Sequence, residues 1–249
     1  MTRLGFLLGR ARSREGRLLS AAELGKAEFA EGETFEQLED RLNQELADLR
    51  RELFRDTDVA EVCWLKYDFH NLKILLKEKL TEQSLDHYLL PLGKDSLTDF
   101  DRTLVRRAAE IYEKTADFCQ MDYWVDQEYL RALQALAQKL DRPIQAYARA
   151  QAAIAEYKYH YDSATALETL RQKFPNIEIP EAPDEGAVEK ALEDYANKQL
   201  FAGRYGCGAA AILAFVQAKE NEIKNLKILY LSRSRALPDL QNYLRYTYV

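Results

Sequence analysis

Between Gly93 and Gly186 the chain carries no glycine, and its 249 residues include only six prolines, Pro91, Pro143, Pro175, Pro180, Pro183 and Pro238. Glycine and proline are the strongest helix breakers, so their absence from long stretches constrains the fold more than any motif does. Those stretches are rich in Ala, Leu, Glu, Lys, Arg and Gln, which lose little freedom on entering a helix. No stretch alternates apolar and polar residues with the period of two that a half-buried strand needs. The expectation is an all-α protein of about eight to ten helices.

Spacing within the stretches agrees. Thr34 and Gln37 read as a capping box that opens a helix. Behind them Leu38, Leu42, Leu46, Leu49 and Leu53 form a helical stripe. Asp56-Thr57-Asp58 interrupts it, and Val62, Leu65, Phe69, Leu72 and Leu76 form a second stripe. A polar connection follows over residues 81–96, then mostly helix over 97–174 with a break near Asp141-Arg142-Pro143. Residues 175–186, PNIEIPEAPDEG, read as a linker. Beyond it the pattern predicts a helix over 188–200, a Gly-rich turn at 203–208, a long helix to about Ser232 and a short last helix from Leu237. Nearly every helix has one apolar face only, so the helices must pack on one another.

Composition narrows the function. With 31% charged and 47% hydrophobic residues the chain is globular rather than disordered. A net charge of −6 lowers the rank of nucleic-acid binding. No apolar run approaches the roughly 18–20 residues of a membrane helix. The best candidate, GAAAILAFV at 208–216, runs into Lys219. The opening MTRLGFLLGRARSREGRLL has a single acid, Glu15. That pattern fits a transit peptide or a surface-seeking amphipathic helix, but a first helix with packed leucines and solvated arginines is the preferred reading. Cys63, Cys119 and Cys207 are odd in number and far apart, as buried free thiols in a reducing compartment would be.

One phrase occurs twice. KYDFHNLKILLKEK begins at Lys66 and KENEIKNLKILYLSR begins at Lys219. Both hold NLKIL, with an acid three places before the Asn: Asp68 before Asn71, and Glu222 before Asn225. On a helix the acid and the Asn share a face, beside leucines that belong to the core. Asn has mediocre propensity there. An Asn so placed often hydrogen-bonds the backbone of another helix, so these four residues are candidate inter-helix fasteners of a duplicated unit. Coincidence between Leu/Lys-rich helices is the plainer alternative. A blurred third copy falls in between, with Tyr123-Trp124-Val125-Asp126 starting a helix and residues 148–154 where the phrase belongs, without its acid or Asn.

Signatures of chemistry are missing. The sequence has no G-x-x-x-x-G-K-[ST], and Gly203-x-x-Gly206-x-Gly208 follows a helix rather than a strand. None of His70, His87 and His160 stands in H-E-x-x-H or E-x-x-H. Cys63 and His70 share a helix face two turns apart, too far for a nucleophile and its base. YKYHY, residues 157–161, suits a helix with its hydroxyls toward water better than a stacking platform. No catalytic, cofactor or metal residues are assigned, and no cofactor is expected.

The C-terminal stretch RYGCGAAAILAFVQAKENEIKNLKILYLSRSRALPDLQNYLRYTYV resembles the C subunits of V/A-type ATPases, whose counterparts in eukaryotic vacuolar enzymes are the d subunits. The pattern is a Gly-started helix, a Lys-Glu pair, Glu-x-x-Asn-Leu, a short loop and a last helix ending in Leu-Arg and a final Tyr-Val. Lys219, Glu220, Glu222, Asn225, Leu226, Leu244, Arg245, Tyr248 and Val249 fit it. TDVAEVCWLKYDFHNLKILLKEK is similar to the matching phrase of the first third, and LGRARSREGRLLSAAEL to the Arg- and Leu-rich opening. The chain is shorter than the usual member, and its central copy lacks the acid and the Asn.

The resemblance implies three pseudo-symmetric helical units forming a funnel, divided as 1–93, 94–175 (degenerate) and 184–249. It implies a non-catalytic central-stalk adaptor on the cytoplasmic side of the membrane. Such an adaptor joins the central shaft subunits to the proteolipid ring for ATP-linked proton or sodium transport, with no nucleic-acid partner and no direct membrane span. Two other readings stay open. A helical-repeat scaffold binding proteins should show a period near 34 residues, and the one evident offset is 154. A helical enzyme should show a constellation of ionisable groups, and none is evident.

Overall fold

The reciprocal bonds of the expected capping box are present: the Gln37 amide N–H donates to Thr34 Oγ1 (3.2 Å) and the Thr34 N–H to Gln37 Oε1 (3.0 Å). The structure is a computed structural model that describes residues 3–53, 58–159, 164–174, 176–179, 185–245 and 247. Its helices are α1 (Arg3–Glu15), α2 (Ala21–Gly25), α3 (Phe35–Leu53), α4 (Asp58–Thr81), α5 (Arg102–Thr115), α6 (Phe118–Ala137), α7 (Arg142–Tyr159), α8 (Ala164–Lys173), α9 (Glu185–Phe201) and α10 (Ala209–Ser234). Short 3₁₀ turns lie at Asp86–Tyr88, Leu97–Asp99 and Pro238–Tyr243. No strand occurs among the described residues, so the protein is all-α.

Both predicted stripes are core, apart from Leu53, whose side chain lies outside the described residues. Leu38, Leu42, Leu46 and Leu49 are buried, as are Val62, Leu65, Phe69, Leu72 and Leu76. Burying each Leu or Phe contributes about 1.5–3 kcal/mol. Three features differ from the expectation in detail. Ala116 ends α5 in the left-handed region (φ 52°), a break without the usual Gly. Pro143 lies inside the first turn of α7, where its missing N–H costs nothing. The last helix is a six-residue 3₁₀ turn rather than an α-helix; so short a segment gains little from α propagation. Asp56-Thr57, His160 and Tyr161, Pro175, Pro180 and Pro183 of the linker, and the closing Tyr248-Val249 lie outside the described residues.

By contacts the chain groups into two compact units, one of residues 1–42 with 137–249 and one of residues 43–136. In the first, α10 is the central element and packs against α1, α2, α7, α9 and the Pro238–Tyr243 turn. Its first ten residues, 209–218, are all buried. A helix apolar all round must be surrounded by others. The aspartate preceding α7 also caps the start of α10: the Ala210 N–H donates to Asp141 Oδ2 at 3.0 Å. Residues 19–39 run along α10 and back. The Leu19 N–H donates to Glu222 Oε2 (2.6 Å), Arg233 donates to the Gly25 carbonyl (2.9 Å), and Lys227 pairs with Glu39 (2.6 Å).

In the second unit α4 packs against α5 and the two short turns at 86–88 and 97–99. Two lysines one helical turn apart on α4 meet two aspartates one turn apart on α6. Lys73 pairs with Asp126 (2.8 Å) and Lys77 with Asp122 (2.6 Å). Asp126, from the blurred middle copy, is thus one end of this double ion pair.

Candidate functional site

Asn71, fully buried on α4, presents its side-chain amide to the connection that returns past the helix, bonding Leu90 twice and the Lys94 carbonyl once (3.0 Å). Leu90 N–H donates to Asn71 Oδ1 (2.9 Å) and Asn71 Nδ2 donates to the Leu90 carbonyl (2.8 Å). Asn225, buried on α10, does the same to Arg245. Arg245 N–H donates to its Oδ1 (2.7 Å) and its Nδ2 donates to the Arg245 carbonyl (3.1 Å). An amide side chain so used imitates one residue of a neighbouring strand, satisfying a donor and an acceptor at once. The clasped residues lie 19 and 20 positions after their Asn.

The clasped backbone is in each case non-helical, and the two Asn residues do not bond a second α-helix in this way. Groups inside an α-helix already pair with one another, whereas a returning segment brings N–H and C=O groups that need partners. Such segments have no periodicity, so nothing in the phrase points to them. A signal did exist. Tyr88-Leu89-Leu90 and Tyr243-Leu244-Arg245 share Tyr-Leu and lie 155 positions apart, against 154 between Asn71 and Asn225. A 3₁₀ turn ends at the tyrosine in both places.

The acids differ. Asp68 stays with the same connection: Lys94 N–H donates to its Oδ1 (3.0 Å), and Arg50 and the Lys94 ammonium stand at 3.7 and 3.8 Å. Burial pushes the Asp68 carboxyl above its ordinary value, with Lys94 and Arg50 opposing. Gly93 completes this clasp. A Cβ there would meet the Tyr67 carbonyl and come within 2.6 Å of Asn71 Nδ2, so only glycine lets the segment approach α4 so closely. His70 Nε2 also lies 3.2 Å from the Tyr88 carbonyl.

Glu222 holds a different part of the chain, the Leu19 N–H, and pairs with Lys219. At the second clasp the acid is Glu193 of α9. It receives Arg245 Nε at 2.6 Å and the Lys224 ammonium at 3.0 Å on each carboxylate oxygen. Burial alone would raise the Glu193 carboxyl, but the Lys224 and Arg245 cations outweigh it and hold it at about 2. Nothing in the NLKIL phrase points to Glu193, because it reaches the clasp from another helix.

Another Asp-x-x-Asn, Asp194-Tyr195-Ala196-Asn197 on α9, stands outside the repeated phrase. Asn197 is buried and its Nδ2 has no hydrogen-bond partner. Residues 19 and 20 places further on are Val216 and Gln217, inside α10, where the backbone is already paired. The pattern becomes a clasp only where an irregular segment returns.

These groups fasten backbone. Among the described residues no three His, Cys, Asp or Glu side chains are placed to hold a metal. Cys63 is buried, while Cys119 and Cys207 are exposed. A cleft of about 310 Å³ lies beside α9, lined by Asn176, Glu178, Lys190, Asp194, Lys198 and Tyr243 among others. Its charged groups pair with one another, Lys190 with Asp194 (2.7 Å) and Lys198 with Glu178 (3.3 Å). No helix among the described residues is long and apolar enough to cross a membrane.

Fold and clasps define an all-α protein whose special polar groups are used to hold its own chain together. The chain is similar to the C subunit of the V-type sodium ATPase of Enterococcus hirae, 24% identical over 274 aligned positions that take in 84% of this chain and 82% of that protein. No family model matches. The match bears out the family resemblance carried by both ends of the sequence, that of the V/A-type ATPase C subunits.

Proposed function

We propose that this chain is a non-catalytic central-stalk adaptor of a rotary V/A-type ATPase. It joins the central shaft subunits to the proteolipid ring on the cytoplasmic side of the membrane, for ATP-linked proton or sodium transport. The observation that carries the reading is the similarity to a V-type ATPase C subunit along more than four-fifths of both chains. The physics suits the role. An adaptor that passes torque needs a stiff body, and close-packed helices with their returning segments fastened to them supply one. It needs no titrating dyad and no metal.

On this reading the family's three-unit plan applies, as 1–93, 94–175 and 184–249. Asp68, Asn71, Glu222 and Asn225 are then fasteners of the first and third units. The near-constant offset of both Asn and clasped residue supports descent of those two units from one ancestor. Affinity purification of the tagged chain from its own cells in mild detergent tests the function. Recovery of proteolipid and shaft subunits is the expected result. Their absence, under conditions that keep the rotary complex whole, overturns it and moves a helical protein–protein scaffold to first place.

A further inference from the structure

The most basic stretch of this acidic chain lies at its start. Arg3, Arg10, Arg12, Arg14 and Arg17 stand against the single acid Glu15 within the first 20 residues of a protein of net charge −6. Leu7, Ala11 and Leu18 face the core. Phe6 and Arg10 of α1 and Arg17 of the turn after it are exposed, and the Phe6 ring is half exposed with the Arg10 guanidinium 4.7 Å above it.

A second pair of the same kind sits on the loop at 203–208. Tyr205 is 78% exposed, the most exposed large hydrophobic side chain described, and Arg204 stacks over it at 4.7 Å. This loop is anchored beside α1. Arg12 donates to the carbonyls of Arg204 and Gly206 while also pairing with Glu15 at 2.9 Å, so the one acid of the first 20 residues is paired internally. Gly203 is seated against Ala210 and Pro143, which holds the loop from below.

We propose that the outer face of α1 and the Arg204-Tyr205 loop rest on an anionic lipid surface, the guanidinium groups on headgroup phosphates and the Phe6 and Tyr205 rings at headgroup depth. Guanidinium groups pair with phosphate oxygens in a planar fork, and each basic side chain near such a surface adds attraction. Exposed rings flanked by arginine suit the interface, where one end of the side chain is apolar and the other wet. The cleft beside α9 is not lined by any of these residues, and a broad basic patch fits a planar, fluid partner better than a shaped one. Charge and exposure carry this proposal without the role in a rotary ATPase.

Sedimentation of the full chain with vesicles tests it. Vesicles of phosphatidylcholine with one-third phosphatidylglycerol should carry the protein down at low salt, phosphatidylcholine alone should not, and added salt should release it. The double change R10E/R17E should weaken partition by at least about ten-fold. F6S/Y205S should weaken it several-fold, and both variants should melt as the parent does. Absence of binding to anionic vesicles overturns the proposal, as does binding that neither variant alters. Binding to polyglutamate but not to vesicles also overturns it, in favour of an acidic protein partner. Because purified lipid is the only partner present, the outcome is separate from recovery of rotary-complex subunits.

Discussion

The clasp at Asn71 and the clasp at Asn225 use the same side chain in the same way, and they differ in what they gather. The first is local. Asn71, Asp68, Gly93 and Lys94 fall within one helix and the connection that follows it, and every bond joins residues fewer than 30 positions apart. The second collects distant chain. Asn225 and Glu193 hold Arg245, while Glu222 of the same phrase holds Leu19, 203 positions away. The carboxylates record the difference. Asp68 is pushed toward the neutral form by burial, whereas Glu193 is held ionised by two cations. One motif therefore serves as a loop fastener in one unit and as a tie between distant segments in the other.

The largest expected effect breaks the second tie. Glu193→Gln leaves Arg245 and Lys224 without their anion and should cost on the order of 3 kcal/mol at neutral pH, read by urea unfolding. The sign follows from the lowered value. The stabilisation is fully present above the unfolded glutamate value of about 4.3 and is lost as pH falls toward about 2. The parent should show this loss between those limits and the variant should lack it. A variant as acid-sensitive as the parent would show that Glu193 is not the group responsible.

Next come the two amides. Asn71→Ala and Asn225→Ala each leave a part-buried backbone donor and acceptor without their side-chain partner, at a cost of about 1–3 kcal/mol. Hydrogen exchange should speed up at the Leu90 amide in the first and at the Arg245 amide in the second, each without the other. Unchanged melting in both variants would sink the fastener reading. Gly93→Ala should cost about 1–3 kcal/mol through overlap with α4. It should cost less when added to Asn71→Ala, because the two changes spoil the same clasp.

The smallest effect sharpens the contrast between the acids. The Asp68 carboxyl sits above its ordinary value, so its favourable term belongs to the protonated form and is lost as pH rises through the folded value. Asp68→Asn keeps an oxygen for the Lys94 N–H and removes a buried charge. At pH 7 it should be neutral or slightly stabilising, opposite in sign to Glu193→Gln. A clear loss of stability would show that Lys94 and Arg50 dominate this site instead.

Much of this fold was written locally. The capping box at Thr34 and Gln37, the leucine stripe of α3 and the stripe of α4 are relations between residues three or four apart, so sequence spacing and spatial spacing coincide. The repeated Asp/Glu-x-x-Asn is legible for the same reason. The bare pattern is not sufficient, since Asp194-x-x-Asn197 has it and makes no clasp. The break at Ala116 left no trace, because alanine is the best helix former and its left-handed conformation is imposed by surroundings.

By itself, then, the sequence determined that this protein is helical, which helix faces are buried, and that Asn71 and Asn225 occupy equivalent places beside the core. Those are matters of short-range periodicity and propensity. Only the tertiary structure decided that the asparagines grip Leu90 and Arg245, that Glu222 reaches Leu19 and that Glu193 anchors Arg245. The reason is that a hydrogen bond needs a free donor and acceptor within about 3 Å. Which backbone groups remain free is settled once the helices have packed and the irregular segments have come back against them.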